Sequence, residues 1–271
     1  MVNPRLIEIA ERLGSTELPR EKAIQEEAKP AIMPKANNSF ILEYDGFGKE
    51  LIAKSNKLFA GTKAEIPLED SGEVPNMYIL KRAALITAIH KDKQLASYNA
   101  WPITPLQSEQ LLKAGNLPKP DEYWEDLALI LYSKKGSNNK EAAALYKSIS
   151  DHASIFGLSK KNLESRFLII NPGIEKDASM PHGVKPIILP GLTDVYMHPI
   201  LDSTKDFPFD YGLEHGLPSV SSVGKGSRTF YIPGEKKPGL RVLYRGWVLD
   251  LYAWGDDLTD SDPDARVNFA R

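Results

Sequence analysis

The chain has no cysteine. This single absence excludes disulfides, thiolate nucleophiles, cysteine-ligated zinc and iron–sulfur clusters, and it fits a reducing compartment. A strong excess of charge of one sign is also missing. A formal net charge of −2 with no lysine or arginine stripe provides no electrostatic footprint for nucleic acid. No apolar run approaches the roughly 18 residues of a membrane span, and the opening MVNPRLIEIAERLG lacks the basic-then-apolar layout of a signal peptide. The expectation is a protein that neither inserts in a membrane nor binds nucleic acid. It would be cytoplasmic, virus-borne or displayed through a partner. The five histidines, His90, His152, His182, His198 and His215, include no pair at the i, i+4 spacing of a helical zinc site.

What is present is an ordinary globular mixture, 42% hydrophobic and 26% charged, which argues against disorder. Apolar spacing in residues 4–14 predicts a helix that starts at Pro4 and stops at Gly14, with a second short one over 20–28. Phe40–Asp45 alternates as a strand does, and GKELIAKSNKLFAG is ambiguous between helix and strand. The turn cluster Ser71–Asn76 marks a domain boundary. Met77–Ile89, rich in β-branched and aromatic residues, reads as one or two strands. Thr104 and Pro105 open a helix that Gly115 ends. A second helix is expected from Asp121 through Leu131, with Leu127, Ile130 and Leu131 as its buried stripe, and a third over about 140–156. After Phe167, Pro-Gly turns separate short strands: RFLII, KPIIL, SRTFYI, GLRVLY and a final ARVNFAR. Helices followed by a run of short antiparallel strands make an α+β arrangement. The expected organisation is an N-terminal helical and β extension over residues 1–75 and a larger domain over 76–271.

Isolated motifs provide little chemistry. Asp260, Asp262 and Asp264 have the spacing that opens an EF-hand loop, but Ala265 stands where that loop needs glycine and Arg271 where it needs glutamate; whether those aspartates hold calcium in a looser site is left open. Gly224–Ser227 (GKGS) lacks the upstream glycine and the strand–loop–helix setting of a phosphate loop. Ser137–Lys140 has Ser-x-x-Lys spacing without the partner motifs of acyl enzymes, and reads as a helix start capped by Ser137 or Asn138. No cofactor is implied. The loop histidines His182 and His215 support one alternative, a hydrolase-type enzyme with a histidine base. A structural or assembly subunit of a virion or surface complex is another.

One ordered set of segments is more specific. Trp101-Pro102-Ile103-Thr104 leads into a helix. Leu117-Pro118 and Trp124-Glu125 follow, then Arg245-Gly246-Trp247, and last Arg266-Val267-Asn268-Phe269-Ala270-Arg271. Over about residues 77–271 this order resembles C-type-lectin-fold domains of the formylglycine-generating-enzyme-like branch, whose pattern is Leu-Pro-Thr-x-x-Glu-Trp-Glu, then Arg-Gly-Gly-x-Trp, then a terminal Gly-Phe-Arg-like strand. Tyr123 lengthens the first spacing by one residue. The catalytic branch works through cysteines, which are absent here. The resemblance therefore implies the binding branch, above all the variable proteins of diversity-generating retroelements. These display rewritten side chains near the C-terminus on a fixed lectin-type scaffold.

That resemblance implies a C-type-lectin-like ligand-binding domain with a variable region over about residues 244–268. It implies an unidentified protein or surface ligand, and an oligomer is compatible with it. The composition of the segment suits a binding surface, with large aromatics set among small polar groups. The candidate ligand-binding residues are Trp247, Val248, Asp250, Tyr252, Trp254, Asp256, Asp257, Thr259, Asp260, Asp262 and Asp264. The loop around 203–227 is expected to join the same face. Val242, Leu249, Leu251, Leu258, Val267 and Phe269 are expected to point inward, and Arg245 and Arg266 to pair with nearby aspartates.

Overall fold

The computed structural model describes residues 38–132, 139–203, 205–222, 224–233, 239–254, 258–259 and 263–271, with only the backbone of Ser222 and Trp254. The helices expected over 4–14 and 20–28 lie outside this set. The described residues up to Leu189 and from Thr193 onward fall in one compact unit.

In chain order the elements of the large unit begin with β1 (Ser39–Ile41), α1 (Gly46–Phe59), α2 (Ile79–Lys91), the short α3 (Lys93–Ser97), β2 (Trp101–Pro102) and α4 (Pro105–Lys113). Next come β3 (Glu125–Leu131), α5 (Lys140–Asp151), β4 (Phe167–Ile170), β5 (Gly173–Lys176), β6 (Val184–Ile187) and β7 (Asp194–Tyr196). The last are β8 (Phe207–Phe209), β9 (Arg228–Tyr231), β10 (Leu240–Arg245), β11 (Leu251–Trp254) and β12 (Asn268–Ala270). The fold is mixed α/β with largely antiparallel sheets and few helices.

A seven-stranded sheet runs β7-β4-β3-β10-β11-β9-β8, antiparallel except for the β11–β9 pair. A three-stranded sheet places β12 between β1 and β2, and β5 pairs with β6. The large sheet is buried on both sides. One core joins Leu129, Phe167, Ile169 and Val242 to α2 and α5 through Ala83, Leu145 and Ile149. The other joins Ile130, Leu168, Leu243 and Leu251 to Phe207, Phe209 and Leu217.

The helix caps are local and readable. Asp45 accepts the Gly48 N–H at 2.7 Å to start α1. Thr104 and Gln107 form a capping box around Pro105 to start α4, satisfying backbone donors that have no partner within the helix. Gly115, at φ 69°, follows the end of α4 in a conformation that costs glycine little.

Two elements reverse the expectation from sequence. Met77–Ile89 is helical, because α2 is buried on every side from Ile79 to Ile89 and so has no polar face to betray its period. The stretch 121–131 contains a strand, β3, buried along nearly its whole length. A strand covered on both faces loses its alternation, and a short apolar run is then ambiguous. Leu127 is the extra residue where the β3–β10 register shifts, and the bulge further obscures the period of two.

Smaller differences follow. The α5 helix ends at Asp151 rather than near Phe156, and its cap is Asn139, which accepts the Ala142 N–H at 2.7 Å. The loop around 203–227 contributes the edge strand β8. The turn Ser71–Asn76 lies within the large unit rather than between two: Tyr44 N donates to Gly72 O and Val74 N to Leu42 O.

Candidate functional site

The hairpin that joins β10 to β11 carries the first candidates. Leu249 N donates to Gly246 O at 2.9 Å and Gly246 N to Asp250 O at 3.1 Å, a three-residue loop whose last member adopts left-handed backbone. That member is Leu249, at φ 67°, where glycine or asparagine is the unstrained choice. It is therefore half-buried in a turn, not inward-facing as expected. The strained turn is tied down from outside. Arg228 Nε donates to Leu249 O at 2.6 Å while its other nitrogens grip the Glu109 carboxylate at 2.6 and 2.8 Å. Asp250 Oδ1 accepts the Thr229 N–H at 2.5 Å. The tip itself stays in water: Trp247 is 46% and Val248 68% exposed.

Beside the tip, one face of the sheet carries a row of aromatic rings. Tyr252 lies opposite Tyr244 on β10 and Tyr231 on β9, with near-parallel rings at 4.8 and 4.7 Å, about the spacing between neighbouring strands. Trp124 closes the row against Tyr244 and Tyr252, and Trp247 meets it edge-on at 5.7 Å. Gly246 permits this packing, since a Cβ there would come within 3.0 Å of the Tyr252 ring. Burial, then Asp250 and Tyr231, raises the Tyr252 phenol above its ordinary value, so it remains a neutral hydrogen-bond donor. The indole N–H of Trp124 is buried without an acceptor among the described residues.

Directly behind the row is a buried polar junction. Glu125 accepts from Arg245 Nη2 at 3.0 Å, from Asn268 N at 2.9 Å and from Asn268 Nδ2 at 2.9 Å. Asn268 Nδ2 also donates to the Tyr123 hydroxyl, which donates to Pro118 O. Arg82 lies 3.9 Å from Glu125 and donates to Ile103 O. Arg245 therefore pairs with Glu125, and Arg266 with Glu73 at 3.2 Å, where aspartates had been expected.

Of the sequence candidates, the geometry brings Trp247, Val248, Asp250 and Tyr252 together. Asp250 is only 9% exposed and bridges to β9. Thr259 is half-buried and Asp264 exposed. The Trp254 side chain and Asp256, Asp257, Asp260 and Asp262 lie outside the described residues. Val242, Leu251, Leu258, Val267 and Phe269 are all buried. Sequence reasoning missed Tyr231, Tyr244 and Trp124 as members of the face; the signal was one tyrosine on each of three strands, legible only once their pairing is known.

Among the described residues no cluster of three or more histidines and acids is placed to hold a metal, and no helix is long and apolar enough to cross a membrane. His182 Nδ1 lies 3.2 Å from Glu141, and His215 stacks on Tyr196 at 3.6 Å. A surface groove of about 540 Å³ between α5 and the β5–β6 hairpin is lined by Lys140, Lys147, Ser148, Asp177 and Lys185 among others, with neither histidine in its wall. Comparison with protein-family models, curated proteins and solved structures found no match.

Proposed function

We propose that this is a non-enzymatic ligand-binding protein that displays a diversified C-terminal surface on a C-type-lectin-like scaffold, in the manner of the variable proteins of diversity-generating retroelements. Its ligand is a protein or another surface-borne molecule. The observation that carries the reading is the division of labour within residues 242–269. Val242, Leu251, Leu258, Val267 and Phe269 are buried, while Trp247 and Val248 stand in water at a hairpin tip held from below. Exposed positions that add nothing to the core can change at a cost of about half a kcal/mol either way.

The scaffold part of the reading is supported by convergence. Trp124-Glu125, Arg245-Gly246-Trp247 and Asn268, the segments that carry the resemblance, meet around one carboxylate. The last strand pairs with the first described strand, Phe269 opposite Phe40. Exposed aromatics next to small polar groups suit recognition of a protein surface, where a few large rings carry most of the energy.

Replacing Trp247, Val248, Thr259 and Asp264 together with serine or alanine tests this. The expected result is a melting temperature lowered by no more than about 4 °C, with binding to the wild-type ligand abolished. A much larger loss of folding would mean that these side chains support the core, and the reading would fall.

A further inference from the structure

Among the described residues the buried carboxylates are Glu109, Glu125, Glu141 and Asp250. Two have a cationic partner, Arg228 for Glu109 and Arg245 for Glu125, and Glu141 lies 3.2 Å from the His182 ring. Asp250 has no cationic partner there. Its Oδ1 takes the Thr229 N–H, and its other oxygen has neither a hydrogen bond nor an ion pair among the described residues. The bond to Thr229 does not require a charge, since an amide oxygen would accept the same N–H. That second oxygen is not among the buried, unpartnered atoms, so it stands open to solvent in a residue otherwise nine-tenths covered. An open carboxylate oxygen with no cation beside it is free to accept a charged donor from a partner.

The surroundings say what kind of charge fits. Trp247 stands exposed in the same turn, Tyr252 stacks on Tyr231, and Tyr252 is near enough to Asp250 for that residue to raise its phenol. Among the described residues the cations of these elements are committed elsewhere: Arg228 to Glu109 and Leu249 O, Arg245 to Glu125, and Arg266 and Lys119 to Glu73. We propose that Asp250 and Trp247, framed by Tyr231 and Tyr252, form a receptor for an arginine side chain of a partner protein. The guanidinium hydrogen-bonds the open Asp250 oxygen and stacks on the Trp247 indole. A planar, weakly hydrated cation suits an aromatic frame better than a compact, strongly hydrated ammonium. An exposed hairpin tip is a place for a partner's protruding side chain, whereas small molecules are usually enclosed in clefts. The assignment rests on the tip being a binding face, as proposed above.

The test titrates the full chain with a capped Gly-Arg-Gly peptide and with its citrulline counterpart, equal in shape but uncharged. The readout is the Trp247 indole signal in nuclear magnetic resonance, assigned with Trp247→Phe. The arginine peptide is expected to give a saturable shift with a Kd of about 1 mM, and the citrulline peptide none. Asp250→Asn, which keeps the acceptor for Thr229 and is read through the Trp247 indole, and Trp247→Ala, read through the Asp250 backbone amide, are each expected to weaken binding about tenfold or more. Equal binding of citrulline, undiminished binding to Asp250→Asn, or no shift with the arginine peptide at about ten times that concentration overturns the proposal. Such a result, with the fourfold replacement still folded, removes the arginine receptor alone. A replacement that unfolds the chain removes the face itself.

Discussion

At the residue scale, environment decides what each charged group contributes. Lys81 is nearly buried, donates to Asn76 O at 2.8 Å and sits 4.5 Å over the Tyr78 ring. Burial pushes its ammonium down to about 8. At neutral pH the group is protonated folded and unfolded, so the desolvation penalty is fully present. As pH rises past 8 the folded form sheds its proton while the unfolded chain holds it to about 10.4. Unfolding free energy should therefore climb by about 2 kcal/mol between pH 8 and 10. Above pH 10 the trend reverses, because burial raises Tyr123 and Tyr132 to about 12 and only their unfolded forms ionise there. Urea titrations should show the climb between pH 8 and 10 in the wild type and no climb in Lys81→Met, with the fall above pH 10 in both. An equal climb in the variant would trace it to another group. The sequence could not announce this, because the MYILKR stretch reads as a strand in which Lys81 would face water.

At the element scale, the junction around Glu125 fastens β3, β10, β12 and α2 to one carboxylate. Removing one member leaves uncompensated charge inside the protein. Arg245→Leu should cost about 3–5 kcal/mol in chemical denaturation, and pairing it with Glu125→Leu should cost clearly less than the sum of the two single changes. Strict additivity would mean that the two side chains act independently. The same scale separates what was legible from what was not. The capping box of α4 and the alternation of β9 could be read from a few neighbouring residues. The identities of α2 and β3 could not, because each is buried on all sides and an element without a wet face has no pattern to display.

At the scale of the whole molecule, the large unit is completed by β12, whose Phe269 lies opposite a residue about 230 positions earlier in the chain. Closing so long a loop is entropically costly before any contact rewards it. Phe269→Leu, which loosens contacts with Phe40 and Phe47 at ring distances of 5.8 Å, is expected to cost about 1–1.5 kcal/mol. Stopped-flow measurements should find nearly all of that in faster unfolding and almost none in slower refolding. A matching drop in the refolding rate would place β12 in the nucleus instead. This long-range pairing is also why a boundary at Ser71–Asn76 looked reasonable: a turn cluster is visible locally, whereas a partner strand more than 200 residues away is not.

Arg245 and Trp247 are two positions apart yet answer to different constraints. Successive generations could rewrite the indole one codon at a time and keep every intermediate folded. The guanidinium would have to change in concert with an acid, an amide and a second arginine on three other elements. On the proposed reading, heritable novelty would be channelled to the tip, while the bases encoding its near neighbour would stay locked.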